Sequence, residues 1–259
     1  MQGLRSNPWR FDLGLCAAAL ILATTQLAAQ VPAASEPAAT HDAATNAADG
    51  VEAKRPLSKD PPGMKRLMPE YDVWIDPKNK RVVMDGTVVL REGQLEMFAC
   101  PRGTKEHESI VAVDTKAYAV HAGLLAVGAE VGTPVQFQPE YKPATGTEID
   151  IELVYRDAAG TVHRDRAQDW IRNVQTGQAM ALPWVFAGSG FWVDEADGKK
   201  HYMAEQGDFI CVSNFPSAML DLPVESSQDN AQLLHEAFTE KIPPLGTRVR
   251  LVLTPKAKD

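Results

Sequence analysis

The sequence predicts a β-dominated α+β domain over residues 70–259, with a mostly antiparallel sheet and two or so short helices. Three observations predict it. Segments that alternate apolar and polar residues recur from Tyr71 to the end of the chain, which is the two-residue period of a half-buried strand. They are separated by Gly, Asp, Asn and Pro turn signals. They run without regular intervening helices, which argues against a parallel doubly wound sheet.

The elements follow in order. Tyr71–Asp76 alternates, and Pro77-Lys78-Asn79-Lys80 reads as a turn. Arg81 to Leu90 is extended on both sides of Asp85-Gly86, a dipeptide that signals a hairpin. Leu95–Cys100 is an apolar run, and His107–Val113 reads as a strand. Asp114-Thr115 is placed to cap a helix from Lys116 to about Val127, with Gly128 to end it. Val135–Gln138 is a short strand. Glu148–Asp157 alternates, turns at Ala158-Ala159-Gly160 and returns from Thr161, the clearest hairpin of the chain. Trp184 to Val193 is aromatic and extended, with a turn at Asp197-Gly198 before strands at His201–Ala204 and Asp208–Ser213. A second helix is expected from Asp229 to Phe238, with Leu233, Leu234, Ala237 and Phe238 inward. Arg248–Leu253 is the last strand.

The first 69 residues differ in texture. Residues 1–30 read as a signal peptide: Arg5 and Arg10 precede an 11-residue apolar run, Leu13–Ala23, and Ala28-Ala29-Gln30 offers a cleavage region. A span needs about 20 apolar residues, and Thr24-Thr25-Gln26 interrupts first. An uncleaved signal acting as an anchor is the alternative. Cys16 follows Leu15, where a lipoprotein site needs a small residue. Residues 31–69 read as a disordered linker, rich in Ala, Thr and Pro through residue 63. The expected location is therefore exported, periplasmic or secreted, with no transmembrane span after cleavage. The formal charge of the chain is −8. An acidic chain without a basic stripe argues against a nucleic-acid partner, whose affinity rests on phosphate neutralisation.

Several segments resemble a known family. Val73-Trp74-Ile75-Asp76-Pro77, Val89-Leu90-Arg91-Glu92-Gly93, Phe98-Ala99-Cys100-Pro101 and Thr104-Lys105-Glu106-His107-Glu108-Ser109 carry the resemblance. So do residues 120–129, Trp184-Val185-Phe186-Ala187-Gly188-Ser189 and residues 207–214. Over residues 70–256 the chain is similar to the YdjY-type domain of bacterial exported proteins. The resemblance implies a family and no activity. Some relatives are associated with ferredoxin-like iron–sulfur modules, but this chain lacks the closely spaced cysteines such a cluster needs.

Candidate chemistry centres on Cys100, His107, His121 and Cys211. Cys100 and Cys211 are the cysteines left after signal removal, and in an oxidising compartment they read first as a disulfide. With His107 and His121 they form a donor set suited to zinc or copper, although the intervals of six and thirteen residues match no recognised pattern. A Cys–His nucleophilic pair with Glu108 or Asp114 is a further option. His107-Glu108 lacks the second His of the zinc-protease motif, since Val111 stands there. Gly188-Ser189-Gly190 lacks the nucleophile-elbow pattern and reads as a bend. Asp194, Glu195, Asp197 and Asp208 lack EF-hand order and read as solvated turns. Trp170, Trp184, Trp192, Phe186 and Phe191 read as core before ligand groove. With no complete catalytic constellation, the leading reading is a non-catalytic module of the envelope that binds a ligand or a protein. The alternative is a metal-binding or thiol-dependent redox protein built on Cys100, His107, His121 and Cys211.

Overall fold

The computed structural model describes residues 56–226 and 233–257. The proposed signal peptide and residues 31–55 of the proposed linker lie outside the described residues. The strands are β1 (Lys65–Arg66), β2 (Val73–Asp76), β3 (Arg81–Val88), β4 (Met97–Pro101), β5 (Ser109–Val113), β6 (Glu148–Arg156), β7 (Val162–Arg166) and β8 (Ile171–Asn173). They continue as β9 (Trp184–Phe186), β10 (Phe191–Val193), β11 (Lys200–Tyr202), β12 (Ile210–Cys211), β13 (Leu220–Asp221), β14 (His235–Ala237) and β15 (Arg248–Pro255), with one helix, α1 (Ala117–Ala126). The domain is β-dominated, as the alternation predicts.

Eight strands close into a barrel in the order β3-β15-β6-β9-β13-β12-β4-β5, and β5 returns to β3. Pairing is antiparallel except between β12 and β13 and between β4 and β5. Closure depends on β3. Its first half, Arg81–Met84, pairs with β2, and Gly86–Val88 pairs with β5 along the same edge. Asp85-Gly86 is therefore not a hairpin turn but the interior of one continuous strand. A Cβ on Gly86 would lie 2.8 Å from both the carbonyl oxygen of Ala112 and Val111 Cγ1. Glycine stands here because β5 comes too near for a side chain.

The barrel is filled by side chains. Phe98, Trp170, Trp184, Phe186 and Phe209 are fully buried, with Ile110, Leu124, Ile149 and Leu153 among them. Alternation on β15 sends Val249, Leu251 and Leu253 inward, each contributing roughly 1.5–3 kcal/mol by leaving water. The polar ends of the buried tryptophans are satisfied: Trp184 Nε1 donates to Cys211 O at 2.7 Å, and Trp170 Nε1 to Asp165 Oδ2 at 3.0 Å. Helix α1 lies against β2 and β3. Lys116, not Asp114 or Thr115, is its N-cap, and the Glu205 carboxylate accepts the Tyr118 amide at 2.9 Å. Gly128 (φ +94°) ends it: its amide bonds Leu125 O and the Ala129 amide bonds Leu124 O, both at 3.0 Å.

Two further sequence expectations fail. The helix expected from Asp229 to Phe238 does not form over its described part. His235–Ala237 pairs with β8 as strand β14, with His235 and Ala237 buried and Glu236 paired to Arg172 at 3.1 Å. The two-residue period wins because β8 supplies backbone partners. Residues 229–232 lie outside the described set. The linker boundary also moves. Ser58 donates from its amide and hydroxyl to Asp72, Arg66 of β1 pairs with Asp72 at 3.2 Å, and Trp74 Nε1 bonds Asp60. The segment from residue 57 onward is thus part of the folded unit. Among the described residues, no helix is long and apolar enough to cross a membrane.

Candidate functional site

Strands β10 and β11 pair with each other and with no barrel strand. Phe191 faces Tyr202, Trp192 faces His201 and Val193 faces Lys200. The tip is closed by backbone bonds between Asp194 and Lys199 and between Gly198 and Asp194. Asp194 and Asp197 carboxylates accept the amides of Ala196 and Lys199. Phe191, Trp192 and Val193 are 64%, 39% and 53% exposed. Three consecutive strand residues point to both faces, so the hairpin presents apolar side chains on each of them. Phe191 touches Tyr202 (5.3 Å between ring centroids), and Trp192 stacks on His201 at 4.5 Å.

The base of the hairpin is fixed to the barrel. Ser189 adopts the left-handed conformation (φ +58°), and its hydroxyl donates to Ser217 O at 2.6 Å and accepts the Ala204 amide. Tyr202 donates its one hydroxyl proton to Gly188 O at 3.0 Å. The Tyr202 oxygen must then accept from His121 Nδ1, 2.8 Å away, which assigns the Nδ1–H tautomer to this histidine. Burial pushes the His121 pKa down, which favours the neutral ring. His121 also meets Phe186 edge-on at 4.8 Å. A histidine that reads from the sequence as a metal ligand or a helix-face residue is here the joint between α1 and the hairpin.

The other sequence candidates lie apart. Cys100 and Cys211 are buried free thiols, not a disulfide. Cys211 opposes Met97 across β12 and β4 and clusters with Met97 and Ala218. Strand alternation turns Cys100 to the other face of β4 from Met97. Burial raises the Cys100 thiol and raises Cys211 well above its ordinary value. Neither thiol is set up as a nucleophile or thiolate ligand. His107 sits on a 3-10 turn, Glu106–Glu108, with its side chain 78% exposed and 3.8 Å from Glu108. The structure does not bring Cys100, His107, His121 and Cys211 into one group of ligand atoms.

Of the acidic residues near turns, Asp208 is no solvated turn. It is buried, accepts from Ser217 Oγ and pairs with Lys105 at 3.0 Å. Lys105 also approaches Glu108 and Glu96 at 3.5 and 3.8 Å, over the Phe215 ring. Burial raises the Glu96 carboxyl, with Glu108 adding to the effect.

A family model, the YdjY domain, matches residues 73–254. The chain belongs to the YdjY domain family. No curated protein and no solved structure matches it. The matched range spans the whole barrel and the projecting hairpin of this YdjY domain. A groove of about 960 Å³ lies beside β6, lined by Tyr155, Val162, Leu245 and Arg248. Polar groups on its wall are already engaged: Arg250 forks onto Asp85 at 2.7 and 3.0 Å, and Arg156 donates to Gly160 O. The hairpin offers the freer surface. In the sequence Phe191 and Trp192 read as core, because aromatic content is common to core and interface. The useful signal was the brevity of Phe191-Trp192-Val193 between Gly190 and the acidic turn.

Proposed function

We propose that this YdjY domain is a non-catalytic binding module of the cell envelope and that it grips a protein partner through the β10–β11 hairpin. The observation that carries the reading is the exposure of Phe191, Trp192 and Val193 on a hairpin that no barrel strand covers. Isolated exposed apolar residues are ordinary; three in a row on an open-edged hairpin are the mark of an interaction surface. A protein suits it better than a small molecule, because a projecting hairpin offers two open strand edges and no concavity. Aromatic anchors of this kind carry most of the energy of many protein interfaces.

The test is a Phe191→Ser/Trp192→Ser double substitution, exported in the native host and sized without denaturation. The wild-type chain is expected to elute in a complex and the double variant at its own mass. The melting temperature should be nearly unchanged, since exposed substitutions shift stability by under about 1 kcal/mol. Identical elution of the two chains would rule the hairpin out as the contact.

A further inference from the structure

The tip of the same hairpin carries a second feature, independent of any protein partner. Asp194, Asp197 and His201 each bring a ligand atom within 4.8 Å of the other two. Among the described residues they are the one group of three such donors that meets this closely, and it contains none of the four residues the sequence points to. We propose that these three side chains form a binding site for a first-row divalent metal ion, with zinc as the probe.

Two observations of different kinds support the site. The first is the donor set. Two carboxylates and one imidazole suit zinc and its neighbours. Donors about 2.1 Å from a tetrahedral metal lie about 3.4 Å apart, so from separations of up to 4.8 Å the group closes by up to about 1.4 Å on binding. The second is the state of the histidine. His201 Nε2 is shut off from solvent and has no hydrogen-bond partner. A buried ring nitrogen without a partner is costly unless something occupies its lone pair or proton. The ring is held in place by its stack on Trp192. The tip backbone is fixed by the Asp194–Lys199 and Gly198–Asp194 bonds, which hold the two aspartates on one turn.

One competitor stands beside the site. Lys199 Nζ pairs with Asp197 and helps hold its carboxyl below the usual range. A metal must displace that ammonium. Three protein donors leave coordination positions to water, which makes the site an open one.

The experiment is calorimetric titration of the purified, chelator-treated chain with zinc, and with the variants His201→Ala, Asp194→Asn, Lys199→Met and His107→Ala. The expected result is saturable one-to-one binding, weakened about tenfold or more in His201→Ala and Asp194→Asn. Lys199→Met should tighten binding, because it frees Asp197, and His107→Ala should leave it unchanged. Zinc should also change the fluorescence of Trp192, and Trp192→Phe should abolish that change. Circular dichroism melts establish that each variant is folded; His201→Gln replaces any alanine variant that is not. The absence of one-to-one binding, or equal affinity in His201→Ala, would overturn the proposal. Loss of binding in His107→Ala would overturn it too, by placing the metal elsewhere.

Discussion

Asp221 lies fully buried on β13, where its carboxylate accepts Leu222 N–H at 2.8 Å and Asn214 Nδ2–H at 3.1 Å. Those bonds favour the charged form and burial opposes it. Burial wins and carries the pKa up to about 7. The folded state then holds a proton that the unfolded chain gives up near pH 4. Stability from this group is complete below about pH 4 and is lost as pH rises through about 7, by at most about 4 kcal/mol. His121 and His235 act in the opposite sense, since burial depresses both and their contribution fades as pH falls below the ordinary histidine range. The difference between the wild-type chain and Asp221→Asn isolates the aspartate. Urea unfolding of Asp221→Asn should gain stability relative to wild type between pH 5 and pH 8. Parallel pH profiles for the two chains would show that Asp221 does not titrate in that range. None of this is legible in the sequence, where Asp221 is one acidic residue before Leu222-Pro223. Its burial comes from strand pairing with β9 and β12, set by residues far along the chain.

At the scale of elements, what the sequence shows depends on the range of the forces that decide it. The β6–β7 hairpin is local: strand alternation, a turn of Asp157–Gly160 and the Asp157 side chain capping the amides of Ala159 and Thr161 are all within a short span. It is legible. Helix α1 is legible for the same reason, down to the glycine that ends it. Asp85-Gly86 misleads because its short-range turn preference is overridden by two distant partners, Ala112 on β5 and Arg250 on β15. Strand β14 misleads because the spacing of Leu233, Leu234 and Ala237 suits a helix until β8 claims the backbone. Gly86→Ala tests the closure argument directly. In an ordinary strand that change is favourable by up to about 1 kcal/mol. Here the Cβ meets backbone, and the substitution should cost about 1–3 kcal/mol in urea unfolding. A neutral or stabilising effect would mean that β3 and β5 are not sealed as described.

At the largest scale, the described residues form a filled barrel with two attachments. One is the segment from residue 57 to β2, tied down by Asp72, Asp85 and Arg66, with Trp74 between the guanidinium groups of Arg66 and Arg250 at 4.8 and 5.2 Å. The other is the β10–β11 hairpin, jointed to α1 through Tyr202 and His121. Fold class was legible at this scale because turn signals and alternation are spread along the chain. The proposed interaction surface was not, because Phe191 and Trp192 differ from Phe186 and Trp184 in surroundings, not in type. Buried thiols that neither meet nor ionise, and histidines on separate elements, leave the hairpin as the feature on which the binding account depends. The most direct measurement is site-specific photo-crosslinking in the native host. A photoreactive side chain would replace Val193 on the hairpin or Val162 on β7, two valines of similar exposure. The account predicts one discrete crosslinked product with another protein from position 193, none from 162, and loss of the product in the Phe191→Ser/Trp192→Ser background. Equal products from both positions, none from 193, or a product only between two copies of this chain would contradict it.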